Sequence, residues 1–421
     1  HQQDIDRIIS DIYRVMDYMD VLYGIENPLF LPKPYDIKYV SKTLLPWMFR
    51  FMRKMRKAMK LMEPINDHLR KITNNEALIQ IISQHFFDQT PTFFALSYFT
   101  LYQQYHYPKG STQTIIDAMI DLIQKHRGEL LTQKEVITID PTSKTIITHD
   151  QTSYTYDQLI WAADTNHLYQ AIDQSSILSP SLLKEIQMKK DFYKTKKGAD
   201  SIITSYLIID HPLERFALPF GPHCFYTRHK EGLSIVDIKE VKTEHGFVED
   251  KEKIFDWIKR FIAYNTLEIS IPGLRDPALS PANETSLIVS TLFDHDLTKH
   301  IKRLGLYDRL KDLVKDVMIE QLSHGLPFDL KNSVKASLVA TPLTISSLTN
   351  STDGSVTGWS FANDPFPVEY RFLRVSKSVL TPIASIKQAG QWAFNPAGVP
   401  VAVLTGKLAA DAVEKDLKKK R

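Results

Sequence analysis

The stretch Ile386-Lys-Gln-Ala-Gly-Gln-Trp-Ala-Phe-Asn-Pro-Ala-Gly-Val-Pro-Val401 constrains the fold of this 421-residue chain more than any other. A short apolar run ends at Ala389-Gly390 and a loop of small residues follows. Val399-Pro400 then opens a helical pattern through Leu404, Leu408, Ala412 and Val413. Proline suits a first helical turn, because its missing N–H would have had no partner there. The unpaired N–H groups and positive dipole end of such a helix favour an anion or an electron-rich ring. Glycines at 390 and 398 let backbone approach a ligand closely. Strand, loop and helix N-terminus together make a cradle.

The rest of the chain alternates in character. Asp4 to Tyr23 is predicted as an amphipathic helix with Ile5, Ile8, Ile9, Ile12, Val15 and Met16 on one face. A loop with Pro28, Pro32 and Pro34 follows, then a helix over 44–62 and helices over 74–87 and 91–105. Ser111 is predicted to cap a helix to His126 whose Ile115, Met119, Leu122 and Ile123 face a core, ended by Gly128. Strands are expected at Lys134–Ile139, Thr145–Thr148, Thr152–Tyr156 and Leu159–Ala163, the second and third joined by a turn at Asp150-Gln151. A largely antiparallel set follows at Ser201–Ile209, His223–Thr227, Leu233–Ile238 and Ser286–Phe293, flanked by helices near 251–263 and 306–322. Ser333–Ala340 is a further strand. The elements near 108–170 and 380–416 are expected to share one sheet, with the other segments inserted between them.

Length favours two connected domains, and a composition of 43% hydrophobic and 24% charged residues is that of a globular protein. A net charge of +3 does not point to nucleic acid. The single cysteine, Cys224, precludes an intrachain disulfide and a cysteine metal cluster, and reads as a half-buried strand residue. No metal-ligand spacing, carboxylate pair or serine–histidine elbow stands out, so the catalytic residues are unknown and no metal is expected. His106 and His167 read as structural. Without a long apolar run or a leader at His1, the expected location is the cytoplasm, with a peripheral membrane contact.

Four segments carry a resemblance. Ala389-Gly390-Gln391-Trp392, Pro396-x-Gly398-Val399-Pro400 and Gly406-Lys407-x-Ala409-Ala410 resemble the C-terminal flavin motif of the phytoene desaturase and retinol saturase family of FAD-dependent oxidoreductases. Tyr105-His-Tyr-Pro-Lys-Gly110, its following helix and Glu135-Val136 resemble the family's entry to an adenine-contacting strand. Tyr156-Asp-Gln-Leu-Ile-Trp-Ala-Ala-Asp164 resembles its small-residue turn beside the cofactor, with Asp164 read chiefly as a helix N-cap. Thr341-Pro-Leu-Thr344 and Thr352-Asp-Gly-Ser-Val-Thr-Gly-Trp359 resemble its glycine-rich turn under the flavin. The departures are Ser111 and Ala397, which stand where the family usually has glycine.

The resemblance implies a mixed α/β fold, in which a truncated Rossmann-like FAD domain is interleaved with a substrate domain of antiparallel sheet and helices. The expected segments are 1–106 (helical, membrane-facing), 107–175 (FAD), 176–340 (substrate) and 341–421 (FAD). It implies cofactor contacts at Val136, Ala163, Gly390, Gln391, Gly398, Val399 and Pro400, and a substrate contact at Trp359, which reads equally as core. The implied reaction adds or removes hydrogen across carbon–carbon bonds of a long isoprenoid. The G-x-G-x-x-G that would hold the FAD pyrophosphate does not occur in these 421 residues. The expectation is a truncated form with weak or absent FAD binding. The alternatives are an amine oxidase-like flavoprotein, with Tyr370 or Trp392 in an aromatic cage, and a non-catalytic lipid-binding protein.

Leu45, Met48, Met52, Met55, Met59 and Met62 share one helical face, with Arg50, Arg53, Lys54, Arg56, Lys57 and Lys60 around the remainder. Met52 and Met55 are candidate substrate contacts, and 44–62 is a candidate contact with anionic lipid. A core-facing methionine stripe with a solvated basic side is the competing reading.

Overall fold

The computed structural model describes residues 2–23, 37–84, 86–103, 106–371 and 374–419. The proline loop at 28–34 and Tyr105 lie outside the described residues. The chain forms two compact units, His1–Thr112 with Ile202–Thr341 and Gln113–Ser201 with Pro342–Arg421. Residues 107–112 therefore go with the first unit, and 176–201, expected in the substrate domain, go with the second.

In the first unit the Gln2–Tyr23 helix buries Ile8 and Val15, while Ile5 and Ile9 face outward. Ile37–Tyr39, a π-turn at Val40–Leu44 and the Leu45–Ala58 helix run on as one rod. The wide turn has a local cause. Pro46 has no N–H to give and its ring crowds the carbonyl four residues back. Asn75 accepts the Leu78 N–H at 3.2 Å and starts the Glu76–Ser83 helix.

A five-stranded sheet follows in the order Val334–Ala340, Ser201–Ile209, Thr285–Phe293, Leu267–Ser270, His223–Tyr226. Strict alternation along Thr285–Phe293 sends Leu287, Val289 and Phe293 into the core that also holds Trp257, Ile258, Val314 and Met318. The expected strand at Leu233–Ile238 does not form. Gly232 at φ +54 begins a 3-10 turn there, and Asp237 caps a second one in a capping box with Glu240. The apolar run is too short to compete with those turns.

In the second unit Val136–Asp140, Thr145–Thr148 and Ser153–Thr155 form an antiparallel meander. The Leu159–Trp161 strand pairs in parallel with Ile386–Gln388, joining segments more than two hundred residues apart. The 108–170 and 380–416 regions do share a sheet. The Pro180–Lys194 helix is started by Ser179, which accepts the Leu182 N–H, with proline in its first turn.

The Gln113–Lys125 helix departs from expectation. Ile115, Met119, Leu122 (57%) and Ile123 are exposed rather than facing a core. Its end also differs in detail. Arg127, not Gly128, takes the left-handed conformation (φ +62). Gly128 is needed for a different reason, because a Cβ there would sit 2.6 Å from Ile123 Cγ2. Exposure makes a prediction: Met119→Gln and Leu122→Gln should each shift chemical-denaturation stability by no more than about 0.5 kcal/mol. A core position would cost several times more.

Candidate functional site

The cradle anticipated from sequence lies at the end of the two-stranded parallel sheet. The Ala389 N–H donates to the Trp161 carbonyl at 2.8 Å, the last step of strand pairing. The chain then turns at Gly390, whose φ is +88. A Cβ at 390 would stand 3.4 Å from the Ala162 carbonyl oxygen, so the two small-residue turns lie against each other. The Gly390 N–H donates to Thr405 Oγ at 3.0 Å, and that hydroxyl donates to Val401 O at 2.9 Å. Thr405, fully buried, thus ties the strand end to the first turns of the Val399–Lys419 helix. Gly398 adopts φ +129, and Val399 is 72% exposed. The helix N-terminus is open, with first-turn N–H groups beyond the reach of intrahelical carbonyls.

Thr405 was missed because a threonine inside a helical pattern carries no signal of its own. Thr405→Val keeps the shape and leaves the Gly390 N–H without its partner. The expected cost is about 1–3 kcal/mol in urea unfolding; an unchanged midpoint would show the tie to be dispensable.

Asp164 holds the second turn. One carboxylate oxygen accepts the Asn166 N–H at 2.8 Å, making it the N-cap of the Thr165–Ala171 helix. The other accepts the Thr352 N–H at 2.7 Å, and the Asp164 carbonyl accepts Trp161 Nε1–H at 2.8 Å. The glycine-rich turn of 352–358 is thereby anchored to the small-residue turn. Gly358, at φ +76, lies so close to the next loop that a Cβ would be 2.4 Å from the Gln391 carbonyl oxygen.

The structure therefore brings Ala163, Gly390, Gln391, Gly398, Val399 and Pro400 into one neighbourhood, formed by the two adjacent turns and the helix start. Val136 stands on the meander, and its half-buried side chain packs on the apolar cluster containing Trp161, Ile386 and Trp392. Trp359 takes the core position. It is 1% exposed, stacked on Tyr193 at 5.4 Å and edge-on to Trp392 at 4.8 Å, so it has no surface with which to line a substrate cavity. Tyr193 in turn stacks on Tyr169 at 5.2 Å. Burial raises the Tyr193 hydroxyl to about 12 and lowers the neighbouring Lys189 ammonium.

In the first unit, the Tyr-Pro-Lys-Gly stretch is fixed by Asp276, which accepts the Gly110 N–H at 2.7 Å, with Arg275 over the Tyr107 ring at 5.1 Å. That amide is the main cause holding the Asp276 carboxyl below its ordinary range. Met52 is exposed and Met55 half-buried. Cys224 sits half-buried in its strand, and burial pushes its thiol up to about 11. At pH 8 only about one thiol in a thousand would be ionised. Alkylation by iodoacetamide should therefore be slow at pH 8 and accelerate until about pH 11; rapid labelling at pH 7 would contradict this.

The face of the five-stranded sheet opposite its core carries Tyr206, Ile208, Ile288 and Leu338 (66% exposed), with Leu338 paired to Tyr206 across the strands. They line an open groove of about 320 Å³ together with Ser286, Ala336 and Ser337, and no carboxylate or ammonium group lines it. Thr204 and Ser290 hydroxyls bond across the same face at 3.0 Å.

The architecture is a fold class represented among solved oxidoreductases, in which a mixed helix-and-sheet body is assembled from interleaved segments. An oxidoreductase from Methanosarcina mazei is similar over 90% of this chain and 73% of its own, with a TM-score of 0.53 and 14% identity. A cyclohexylamine oxidase from Brevibacterium oxydans gives 0.52 at 9% identity over 98% of this chain and 76% of its own. A putrescine oxidase variant gives 0.53 at 11% identity over 97% and 76%. At identities this low the likeness shows the fold alone. No protein-family model and no curated protein sequence matches the chain.

Proposed function

We propose that this chain belongs to a flavin-dependent oxidoreductase that acts on a long apolar substrate. The observation that carries the reading is the Gly390 turn: a left-handed glycine at the end of a parallel strand, pinned through Thr405 to an exposed helix N-terminus. Those residues fit a flavin ring. Gly390 and Gly398 present backbone without side-chain bulk, and the first-turn N–H groups of the Val399–Lys419 helix favour a ring that becomes electron-rich on reduction. A bound flavin would supply the two-electron chemistry, taking up or returning hydrogen across a substrate bond. The chain's own part is to hold the ring edge at Gly390 and Gln391 and to orient substrate.

The groove favours an apolar substrate over an amine. Its lining of Tyr206, Ile208, Ile288 and Leu338 offers van der Waals surface, with no carboxylate to pair with an ammonium ion. An isoprenoid or polyene suits that surface, and we carry hydrogen transfer across its carbon–carbon bonds as the reading, with the amine oxidase-like reaction as the alternative.

Flavin fluorescence tests the cofactor half. The ring site predicts similar, weak affinities for riboflavin and FAD, read from the change in flavin fluorescence on titration, since no G-x-G-x-x-G lies within these residues to hold the pyrophosphate. Val399→Glu, exposed and compatible with a helix N-terminus, should weaken both by placing an anion where the ring sits. Riboflavin that does not bind at all would overturn the ring site at Gly390. Submicromolar FAD with weak riboflavin would show that pyrophosphate donors exist elsewhere in the fold. A fluorescent polyene such as parinaric acid tests the groove: Leu338→Glu should reduce its affinity at least tenfold, the equivalent of about 1.4 kcal/mol.

A further inference from the structure

The Leu45–Ala58 helix and the turn after it carry three stripes rather than two. At roughly 100° per residue, Trp47, Phe51, Lys54 and Ala58 fall on one line along the helix. That line is the packed one. Phe51 and Ala58 are buried, Trp47 Nε1–H donates to the Val21 carbonyl at 2.6 Å, and Lys54 pairs with Asp17 at 2.8 Å. The core requirement of the helix is met by this stripe, against the Gln2–Tyr23 helix.

The methionine stripe is therefore not core. Leu45, Met48, Phe49 (69% exposed), Met52 and Met59 point to solvent, and Met62 beyond them is exposed as well. Beside them runs a third line, Arg50, Arg53, Lys57 and Lys60, all exposed, with Arg56 set within the apolar sector. Between residues 37 and 62 the chain contains Lys38, Lys42, Arg50, Arg53, Lys54, Arg56, Lys57 and Lys60, and no acidic residue. Among the described residues, only Lys54 of these makes an ion pair. A helix exposed to water alone has no reason to display large unbranched apolar side chains next to uncompensated cations. A protein partner would demand a matching acidic and apolar relief, whereas a lipid surface offers both chemistries in adjoining layers.

We propose that this helix docks on an anionic bilayer, lying in the interface plane. Met48, Phe49, Met52 and Met59 enter the acyl boundary, and Arg50, Arg53, Lys57 and Lys60 reach headgroup phosphates and carboxylates. Unbranched methionine and long cationic stems suit this surface, since both conform to irregular lipid packing and let charge stay at the headgroup level. None of the described helices is long and apolar enough to cross a membrane, so the contact is one of lying on the surface. The proposal is independent of the flavin reading.

Co-sedimentation of the full chain with vesicles decides it. The chain should pellet with phosphatidylcholine vesicles containing phosphatidylserine, and at least tenfold less with phosphatidylcholine alone. Added salt should reduce binding, because exposed charges are screened. Arg53→Glu with Lys57→Glu should abolish binding to anionic vesicles. Phe49→Ser with Met52→Ser should lower it at least tenfold at unchanged charge. All four positions are exposed, and circular dichroism should report folded protein in each variant. Equal binding to neutral vesicles, or full binding by both double variants, would overturn the proposal. So would a stable dimer in sedimentation velocity that Phe49→Ser dissociates, since a second copy would then own the face.

Discussion

Gly358→Ala should destabilise the second unit by about 2–5 kcal/mol, although it adds a single methyl group. Two costs combine. The residue sits at φ +76, where an L side chain costs about 1–2 kcal/mol. Its new Cβ would also lie 2.4 Å from the Gln391 carbonyl oxygen, a separation that no relaxed structure tolerates. The carbonyl is backbone and cannot swing aside as a side-chain tip would, so overpacking adds about 1–3 kcal/mol. The 391 loop should move, and the proposed flavin binding at the neighbouring Gly390 turn should weaken with it. Gly406→Ala is the control. It lies inside the Val399–Lys419 helix with nothing within 4 Å of an added Cβ, and should stabilise by about 0.5–1 kcal/mol through helix propensity. Urea unfolding of the two variants should move in opposite directions; equal shifts would mean that the close approach at Gly358 is not rigid.

The Gly390 turn shows what sequence makes legible. A strand ending in Ala-Gly, a small-residue loop and a Val-Pro helix start are local signals, and the Gly390 turn was readable from them. So was Asp164 as an N-cap, because capping is decided within a few residues. The parallel pairing of Leu159–Trp161 with Ile386–Gln388 was legible only as an interleaving of segments. Thr405 was not legible, since its role depends on a strand end brought to it from fifteen residues away.

Periodicity located stripes correctly without saying which one the fold would cover. In the helix from Leu45 the methionine stripe is the most regular, yet the core took the Trp47–Phe51–Ala58 line. In Gln113–Lys125 the stripe was found and nothing among the described residues covers it. A hydrophobic pattern reports the possibility of burial; the partner that realises it is non-local. The groove on the five-stranded sheet was missed for a related reason. Ser201–Ile209 is apolar on both faces, so alternation could not announce that Tyr206 and Ile208 form an open surface.

Trp359→Ala should be the most damaging single substitution in the second unit, costing about 3–5 kcal/mol. The indole is 1% exposed and is held between Tyr193 and Trp392. Its removal opens a cavity and breaks a column of rings that extends to Tyr169, where each aromatic contact adds about 0.5–1.5 kcal/mol beyond area. The lost hydrogen bond matters less. Trp359 Nε1–H donates to the Trp392 carbonyl at 3.2 Å, and that carbonyl also accepts from Thr165 Oγ at 3.2 Å, so it keeps a partner. Trp359→Phe should therefore recover most of the stability, restoring stacking without the donor. The comparison separates core from substrate contact. With Trp359 in the core, parinaric acid affinity stays within twofold in the phenylalanine variant while the urea midpoint falls modestly. A large loss of polyene affinity at unchanged stability would return Trp359 to the substrate path.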